Sequence, residues 1–101
     1  MFDNDRYMTK GIQQKIPIEQ QVFMWDCIDS MKKQKRELDY LQVFELCKDR
    51  ADDIFFQSIE HRQEVPVYKK NYRLLFQDLV EAKVFIVDDG DHSTMMLAEE
   101  Y

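Results

Sequence analysis

Apolar residues recur with helical spacing in one segment of the chain. Pro17 suits the first position of a helix, and Glu19 places a carboxylate at the positive end of the helix dipole. The apolar side chains that follow trace one face at intervals of three or four residues: Ile18, Val22, Trp25, Ile28 and Met31, widened by Phe23, Met24 and Cys27. Basic residues from Lys32 to Arg36 close the segment. The pattern predicts one long helix of about 20 residues, or about 30 Å.

The segment that follows the helix has the composition of strands. Leu38 to Leu46 and Ile54 to Val65 are rich in strand-forming residues, and the charged run from Lys48 to Asp53 between them is typical of a turn. Pro66 ends the second run because it has no N–H to donate to a neighbouring strand. The two runs are therefore predicted to form an antiparallel hairpin.

A second hairpin is predicted near the end of the sequence. Ala82 to Val87 is apolar on both faces apart from Lys83, as in a central strand. Asp88-Asp89-Gly90-Asp91 has the chemistry of a turn, with Gly90 suited to a positive φ. Ser93 to Ala98 then returns as the partner strand.

Two shorter segments complete the predicted elements. Arg6 to Lys10 is expected to add an edge strand that stops at Gly11. Residues 67–80 fit either a helix face or a short strand followed by a loop, and we favour the strand.

Together these elements predict an α+β fold in a single domain, residues 1–101. One long helix packs on an antiparallel sheet of four to six strands, in the order β-α-β-β-(β)-β-β. Strand alternation divides the apolar side chains into two sets. One set is Tyr40 and Phe44, joined by Phe56 if the registers match, and the other is Leu41, Val43 and Ile59. Because one helix covers one face, the face with Tyr40 and Phe44 is expected to stay open for another chain.

The composition supports one folded domain and places the charge unevenly. The 101 residues are 45% hydrophobic, and two glycines and two prolines leave no Gly-rich phosphate loop. The net charge of −6 argues against a general nucleic-acid binder. Residues 1–77 carry 13 basic and 13 acidic side chains, so the whole excess lies in residues 78–101. This acidic end is either a solvated hairpin tip or a patch that meets a basic partner.

The N-terminus and the cysteines indicate a compartment. Residues 1–6 lack the basic and apolar regions of a signal peptide, and no apolar run approaches the roughly 18 residues that cross a bilayer. Cys27 and Cys47 lie outside any CxxC pattern and are read as two reduced thiols, with a disulfide as the alternative. The sequence therefore predicts a cytoplasmic protein without a membrane segment.

His61 is the strongest candidate for chemistry. A histidine beside a carboxylate is the minimum for general acid–base catalysis, and Glu45 or Glu64 supplies one if the strand registers allow. The alternative is a paired histidine on a polar strand face. Because no nucleophile or oxyanion donor accompanies His61, we predict no catalytic residue and no cofactor.

The acidic turn is the strongest candidate for a metal site. Asp88, Asp89, Asp91 and His92 offer three carboxylates and an imidazole in one short segment. The spacing of an EF-hand is absent, and adjacent side chains at a strand end point in opposite directions. We therefore predict a hairpin turn and no bound metal.

Several motifs resemble one small protein family. They are Asn4-Asp5-Arg6-Tyr7-Met8-Thr9-Lys10-Gly11-Ile12 with Ile16-Pro17, Leu38 to Leu46, His61 to Pro66, Asp88-Asp89-Gly90 and Ser93 to Tyr101. From residue 4 onward the chain is similar to a domain of unknown function, numbered nine-sixty, that occurs in Gram-positive bacteria and their mobile elements. That family has no assigned activity, so the resemblance implies no role for any residue.

These observations predict a non-enzymatic protein–protein interaction module. The expected binding residues are Tyr40, Phe44, Phe56, His61, Asp88, Asp89 and Asp91. The aromatic residues act as anchors and the acidic hairpin orients an unknown protein partner. Homodimerisation through the same face is a further expectation, and nucleic-acid binding is not expected. Two alternatives stay open: a small enzyme with a His61–carboxylate pair, and an acidic mimic of nucleic acid of mobile-element origin.

Overall fold

Six strands and two helices form most of the protein, and the structure, a computed structural model, describes residues 1–101. The strands are β1 (Asp5–Met8), β2 (Leu41–Ala51), β3 (Ile54–Gln63), β4 (Tyr68–Leu74), β5 (Ala82–Asp88) and β6 (His92–Leu97). The helices are α1 (Lys10–Lys15) and α2 (Ile18–Lys33), and a 3₁₀ turn (Ala98–Glu100) follows β6. None of the helices combines the length and apolar character that crossing a membrane requires.

The strands form one sheet in the order β1-β6-β5-β2-β3-β4. β2 is central and pairs antiparallel with both neighbours, so Phe44 lies between Val84 of β5 and His61 of β3. The remaining pairs are also antiparallel, except that β1 runs parallel to β6 with Tyr7 beside Thr94. The sheet is therefore mixed, because the long helical connection through α1 and α2 brings β2 back in the same direction as β1.

The prediction of one long helix on an antiparallel sheet is wrong. The helical residues are divided between α1, of 6 residues, and α2, of 16 residues, and the chain is 45% strand and 25% helix. The Thr9 hydroxyl accepts a hydrogen bond from the Ile12 N–H and starts α1 directly after β1. Lys35 takes a left-handed φ of 57°, which ends α2 before the predicted boundary. The broad α+β description, the two predicted hairpins, the N-terminal edge strand and the strand within residues 67–80 agree with the structure. The edge strand ends at Met8 rather than at Gly11, which lies within α1.

The buried face of α2 also differs from the predicted face. Ile18 and Val22 are 66% and 52% exposed, whereas Gln20 is fully buried. The Gln20 amide donates to Gln57 Oε1 at 3.0 Å and to the Asp78 carbonyl at 2.8 Å. These bonds satisfy both N–H groups of the amide, so the helix can turn a glutamine inward and two aliphatic side chains outward.

The core lies between the helices and one face of the sheet. Its members are Phe2, Ile12, Ile16, Met24, Cys27, Ile28, Phe44, Leu46, Ile59, Val84, Ile86, Met95 and Leu97. The strand residues among them come from alternate positions of β2, β3, β5 and β6, as expected for one sheet face.

The predicted division of strand residues between the two faces is wrong for Phe44. Phe44 is fully buried in the core together with Ile59, although the two were expected on opposite faces. In the register of β2 and β3, Phe44 pairs with His61 and Phe56 pairs with Asp49, so Phe44 and Phe56 lie on opposite faces. Alternation separates two sets of side chains, but it does not identify the set that the helix covers.

Candidate interaction surface

The sheet face opposite the core carries no helix, and we call it the open face. Two adjacent rows of side chains cross it from β1 to β2. The first row is Tyr7, Thr94, Val87 and Leu41, and the second row is Met96, Phe85 and Val43. We call these two rows the apolar rows. They can form a contact surface, because four of the seven side chains, Leu41, Val43, Phe85 and Val87, are hydrocarbons and the neighbouring strands hold them side by side.

Three aromatic residues stand together at the apolar rows. Tyr101 packs edge-on against Phe85, with the ring centroids 5.4 Å apart. Tyr40 lies beside Tyr101, and interaction with the Tyr101 hydroxyl raises the pKa of Tyr40. Tyr40 and Tyr101 are 49% and 64% exposed, so this cluster presents aromatic surface to solvent. The prediction that Tyr40 lies away from the helix agrees with this position.

A second aromatic pair lies at the β1 edge of the open face. Tyr7 packs edge-on against His92, with the centroids 5.0 Å apart, and Tyr7 is 51% exposed. This pair extends the exposed aromatic surface across the first apolar row to the edge of the sheet.

Beside the apolar rows, the open face is charged. Arg62 bridges Glu45 at 3.2 Å and Glu60 at 2.8 Å. Lys69 lies 3.4 Å from Glu60, and Lys83 lies 3.9 Å from Glu45. These pairs are partly exposed and each adds at most about 1 kcal/mol to stability. Strand alternation places Glu45 in this network, on the face opposite His61.

Phe56 does not join the aromatic cluster. It lies on the open face beyond the charged network and is buried there, with the Arg73 guanidinium 5.3 Å from its ring. The predicted surface of Tyr40, Phe44 and Phe56 is therefore not a single surface. Only Tyr40 of the three belongs to the exposed cluster.

His61 is fully buried on the core face and has no carboxylate partner. Its ring stacks on Phe44 with centroids 4.2 Å apart, and Nε2 lies 2.7 Å from Gln42 Oε1. Burial lowers the pKa of His61 from 6.5 to about 4. The ring is therefore neutral at pH 7, donates from Nε2 to Gln42, and leaves Nδ1 without a hydrogen-bond partner. The expected placement of His61 on an interaction surface is wrong, because this side of β3 faces the helices.

The residue beside His61 belongs to a network that the sequence analysis missed. Gln42 donates to Gln63 Oε1 at 2.7 Å and to the Asp39 carbonyl at 2.9 Å, and both glutamines are buried. Gln63 donates in turn to the carbonyls of Glu37 and Pro66. The available signal was the alternation of Gln57, Ile59, His61 and Gln63 along one strand face. Ile59, the apolar residue of that set, is fully buried, and the polar residues on the same face are buried with it.

The acidic turn is held by its own hydrogen bonds. Asp88 accepts from the N–H groups of Phe2 and Gly90 and from the Asn4 amide; burial raises its pKa, but these donors outweigh that effect and lower it. Asp89 accepts from the N–H groups of His92 and Asp91, which lowers the pKa of Asp89. No group of three or more potential ligands is placed to hold a metal ion. The predicted turn is confirmed as a structural element.

The acidic turn lies next to the aromatic cluster. The Asp88 N–H donates to the Tyr40 carbonyl at 3.0 Å, which joins the end of β5 to the start of β2. Asp89 and Asp91 remain exposed at the tip. Exposed acidic and aromatic groups therefore border each other at one end of the open face.

The two cysteines are free thiols and lie in different environments. Cys27 is buried on α2, where burial raises its pKa to about 11, and Cys47 is exposed on β2. A thiol with a raised pKa is a packing group rather than a nucleophile at neutral pH.

Comparison with known proteins identifies a family and a fold. The family model of a staphylococcal protein of unknown function (DUF960) matches residues 5–100. A crystal structure of a protein of unknown function from Enterococcus faecalis superposes with a TM-score of 0.81 and 24% identity, over 98% of this chain and 92% of that one. At that identity the likeness establishes a shared fold. No curated protein matches the sequence. Because the family model covers nearly the whole chain, the protein belongs to the DUF960 family of staphylococcal proteins of unknown function.

Proposed function

We propose that this chain is a cytoplasmic, non-enzymatic interaction module that binds a protein partner through the apolar rows of its open face. The observation that supports the proposal is the exposure of Tyr40, Tyr101 and Tyr7 on a sheet face without a covering helix. Exposed aromatic groups on an uncovered apolar surface are typical of protein-binding sites.

The geometry suggests how such a partner would be recognised. Tyr101 is held against Phe85 and lies beside Tyr40, so these rings lose little conformational freedom on binding. Asp89 and Asp91 supply negative charge at the rim. The matching surface is an apolar patch bordered by lysine or arginine, because complementary charge steers association and fixes orientation.

Support for a non-catalytic role comes from His61. A general acid–base group must reach substrate, whereas His61 is enclosed between Phe44 and Tyr68 and is bonded only to an amide. Glu45, its expected carboxylate partner, pairs with Arg62 on the other face of the sheet.

The test is capture of a partner by matched variants. The Tyr40→Ala/Tyr101→Ala double variant removes the exposed aromatic anchors, and Ile18→Ala/Val22→Ala removes exposed apolar side chains from α2, outside the open face. Each protein is immobilised and exposed to lysate of the bacterium that encodes it, and bound proteins are quantified by mass spectrometry. We expect the first variant to lose a specific partner roughly 30-fold and the control to retain it.

Equal recovery of that partner by both variants would refute the proposed surface, provided that both variants remain folded by circular dichroism. Sedimentation of the wild-type protein separates the two kinds of partner. A dimer that the Tyr40→Ala/Tyr101→Ala variant abolishes identifies a second copy as the occupant. A strict monomer at high concentration rejects self-association and leaves a different protein as the partner.

A further inference from the structure

We infer that β4 is a second binding site, which accepts an extended acidic segment of another protein as an added strand of the sheet. This inference concerns the sheet edge and is independent of the open face. Addition of a strand to an exposed edge is an established mode of peptide recognition, in which main-chain bonds supply affinity and side-chain pockets supply specificity.

The backbone of β4 is available for pairing. β4 is the last strand of the sheet and pairs only with β3, from Tyr68 opposite Gln63 to Leu74 opposite Gln57. None of its main-chain groups is bonded to a side chain or to a loop elsewhere in the chain. Seven residues present an edge of about 23 Å, enough for a peptide of about the same length. The opposite edge, β1, has only 4 residues.

The charge of this edge selects an acidic segment. β4 contains Lys69, Lys70 and Arg73 and no acidic residue. The end of α2 adds a cluster of four bases, and Arg36 of that cluster lies 5.1 Å from the Tyr68 ring, so the two basic segments are adjacent. Together they hold half of the 14 basic residues of a chain whose net charge is −6. A positive region on an acidic protein concentrates negatively charged partners at that place.

The basic side chains of β4 are not all neutralised within the protein. Lys69 has Glu60 as a partner, but the Lys70 ammonium lies 5.2 Å from the Tyr72 ring and the Arg73 guanidinium lies over Phe56. Pairing of β4 with β4 of a second copy would place these like charges together and is therefore disfavoured. Lysine on an edge strand also protects against aggregation, and this is the competing explanation that the test must reject.

A groove between α2 and β4 offers pockets for alternate side chains. Depressions of about 180 and 300 Å³ meet at Met31 and Tyr68, and the smaller one is also lined by Phe23, Cys27 and Tyr72. Acidic residues of the groove, Asp26 and Glu37, disfavour a carboxylate on this side. The fitting segment therefore alternates: apolar side chains enter the groove, and acidic side chains point to Lys69 and Arg73 on the other face.

The test uses the peptide acetyl-Glu-Val-Glu-Val-Glu-Val-Glu-amide as the probe. Binding to the full chain is measured by ¹⁵N–¹H NMR titration, with hydrogen exchange of the β4 amides as a second readout. We expect shifts centred on residues 68–74 and slower exchange of those amides when the peptide is bound. A peptide N-methylated at every residue keeps the charge and removes all main-chain donors, and we expect its affinity to fall at least tenfold.

Matched charge reversals test the role of the basic edge. Lys69→Glu/Arg73→Glu should weaken binding at least tenfold, whereas Lys10→Glu/Lys15→Glu, with the same change of net charge on α1 at the other end of the sheet, should leave it within about twofold. Equal losses in both variants would show non-specific attraction and overturn the inference. Undiminished binding of the N-methylated peptide, or absence of binding at millimolar peptide, would also overturn it. Tighter binding of oligo-dT than of the peptide at the same residues would assign the edge to nucleic acid instead.

Discussion

Mild acid should destabilise this protein through one buried histidine. The pKa of His61 is about 4 in the folded chain, against 6.5 for an unburied imidazole, because burial penalises the charged ring. The unfolded state therefore binds a proton that the folded state refuses. The contribution of the neutral His61 ring to the free energy of unfolding is fully present above pH 6.5 and is lost as the pH falls towards 4. From these two pKa values, proton linkage gives a loss of unfolding free energy of about 2 kcal/mol between about pH 7.5 and 5. The total loss, once the pH is below 4, is about 3 kcal/mol.

The surroundings of His61 explain why the ring resists protonation. Nε2 already donates to Gln42 Oε1, and Nδ1 has no partner that would accept a second proton. Phe44 stacks on one face of the ring and Tyr68 packs edge-on against it, and no carboxylate lies within ion-pair distance to compensate the charge. The other groups with shifted pKa values contribute little between pH 7.5 and 5. The lowered carboxyl groups start from 3.8 or 4.5, and the raised thiol and phenol groups start from 9.0 or above.

The assay is urea unfolding followed by the fluorescence of Trp25, the single tryptophan, at a series of pH values from 7.5 to 5. His61→Gln removes the buried imidazole, and His92→Gln is the matched control because His92 is exposed and is the second histidine of the chain. We expect His61→Gln to be less stable at pH 7.5 but to lose little further stability on acidification. His92→Gln should keep the wild-type loss of about 2 kcal/mol.

Two results would refute this reasoning. An equal loss of stability in the wild-type protein and in His61→Gln would place the titrating group elsewhere. An NMR titration of the His61 ring with a midpoint near 6.5 in the folded protein would show that the ring is hydrated. Either result would also remove the burial argument against an acid–base role for His61.

Two further predictions test the assignment of the sheet faces and of the acidic turn. Phe44→Ala should cost about 3–5 kcal/mol of unfolding free energy, because Phe44 is a fully buried core residue, whereas Tyr40→Ala should cost about 1 kcal/mol or less. Similar costs in chemical denaturation would contradict the placement of the two residues on opposite faces. Asp88→Asn should release the N-terminal segment, since the Asp88 carboxylate accepts from the Phe2 N–H and the Asn4 amide, at a cost of about 1 kcal/mol. Hydrogen exchange of residues 2–4 should speed up, and unchanged exchange would reject the role of Asp88.

Most strands and turns of the fold follow from local chemistry, and the sequence predicts them well. Gly90 adopts φ 100° in the predicted turn between β5 and β6, and Pro66 follows β3 as expected. The charged run from Lys48 to Asp53 was predicted to be a turn, but β2 continues through it to Ala51 and the hairpin turns at Asp52, which has φ 55°. The end of β2 is exposed on both faces, so its residues do not alternate between apolar and polar.

The choice of covered face depends on contacts between distant residues, which strand alternation does not encode. Phe44 and Leu41 are equally acceptable core residues by pattern, and the register across three strands decides between them. The same limit applies to the candidate site. Alternation placed Tyr40 on the same face as Phe44, but Tyr40 precedes β2 and does not follow the alternation of that strand. Its neighbour Tyr101 comes from the other end of the chain.

The buried glutamines account for both the rotation of α2 and the ordering of the loops. Gln57 accepts from the Val80 N–H and donates to the Val80 carbonyl, so its amide substitutes for a strand partner of the loop before β5. Gln63 does the same for two other segments through the carbonyls of Glu37 and Pro66. Buried main-chain groups outside helices and strands must find partners, and an amide offers both a donor and an acceptor at the end of a flexible stem. A chain with two glycines and two prolines has few tight turns available. Its irregular segments are instead held by hydrogen bonds to buried glutamine side chains. These glutamines occupy positions where a hydrophobicity pattern predicts residues exposed to solvent.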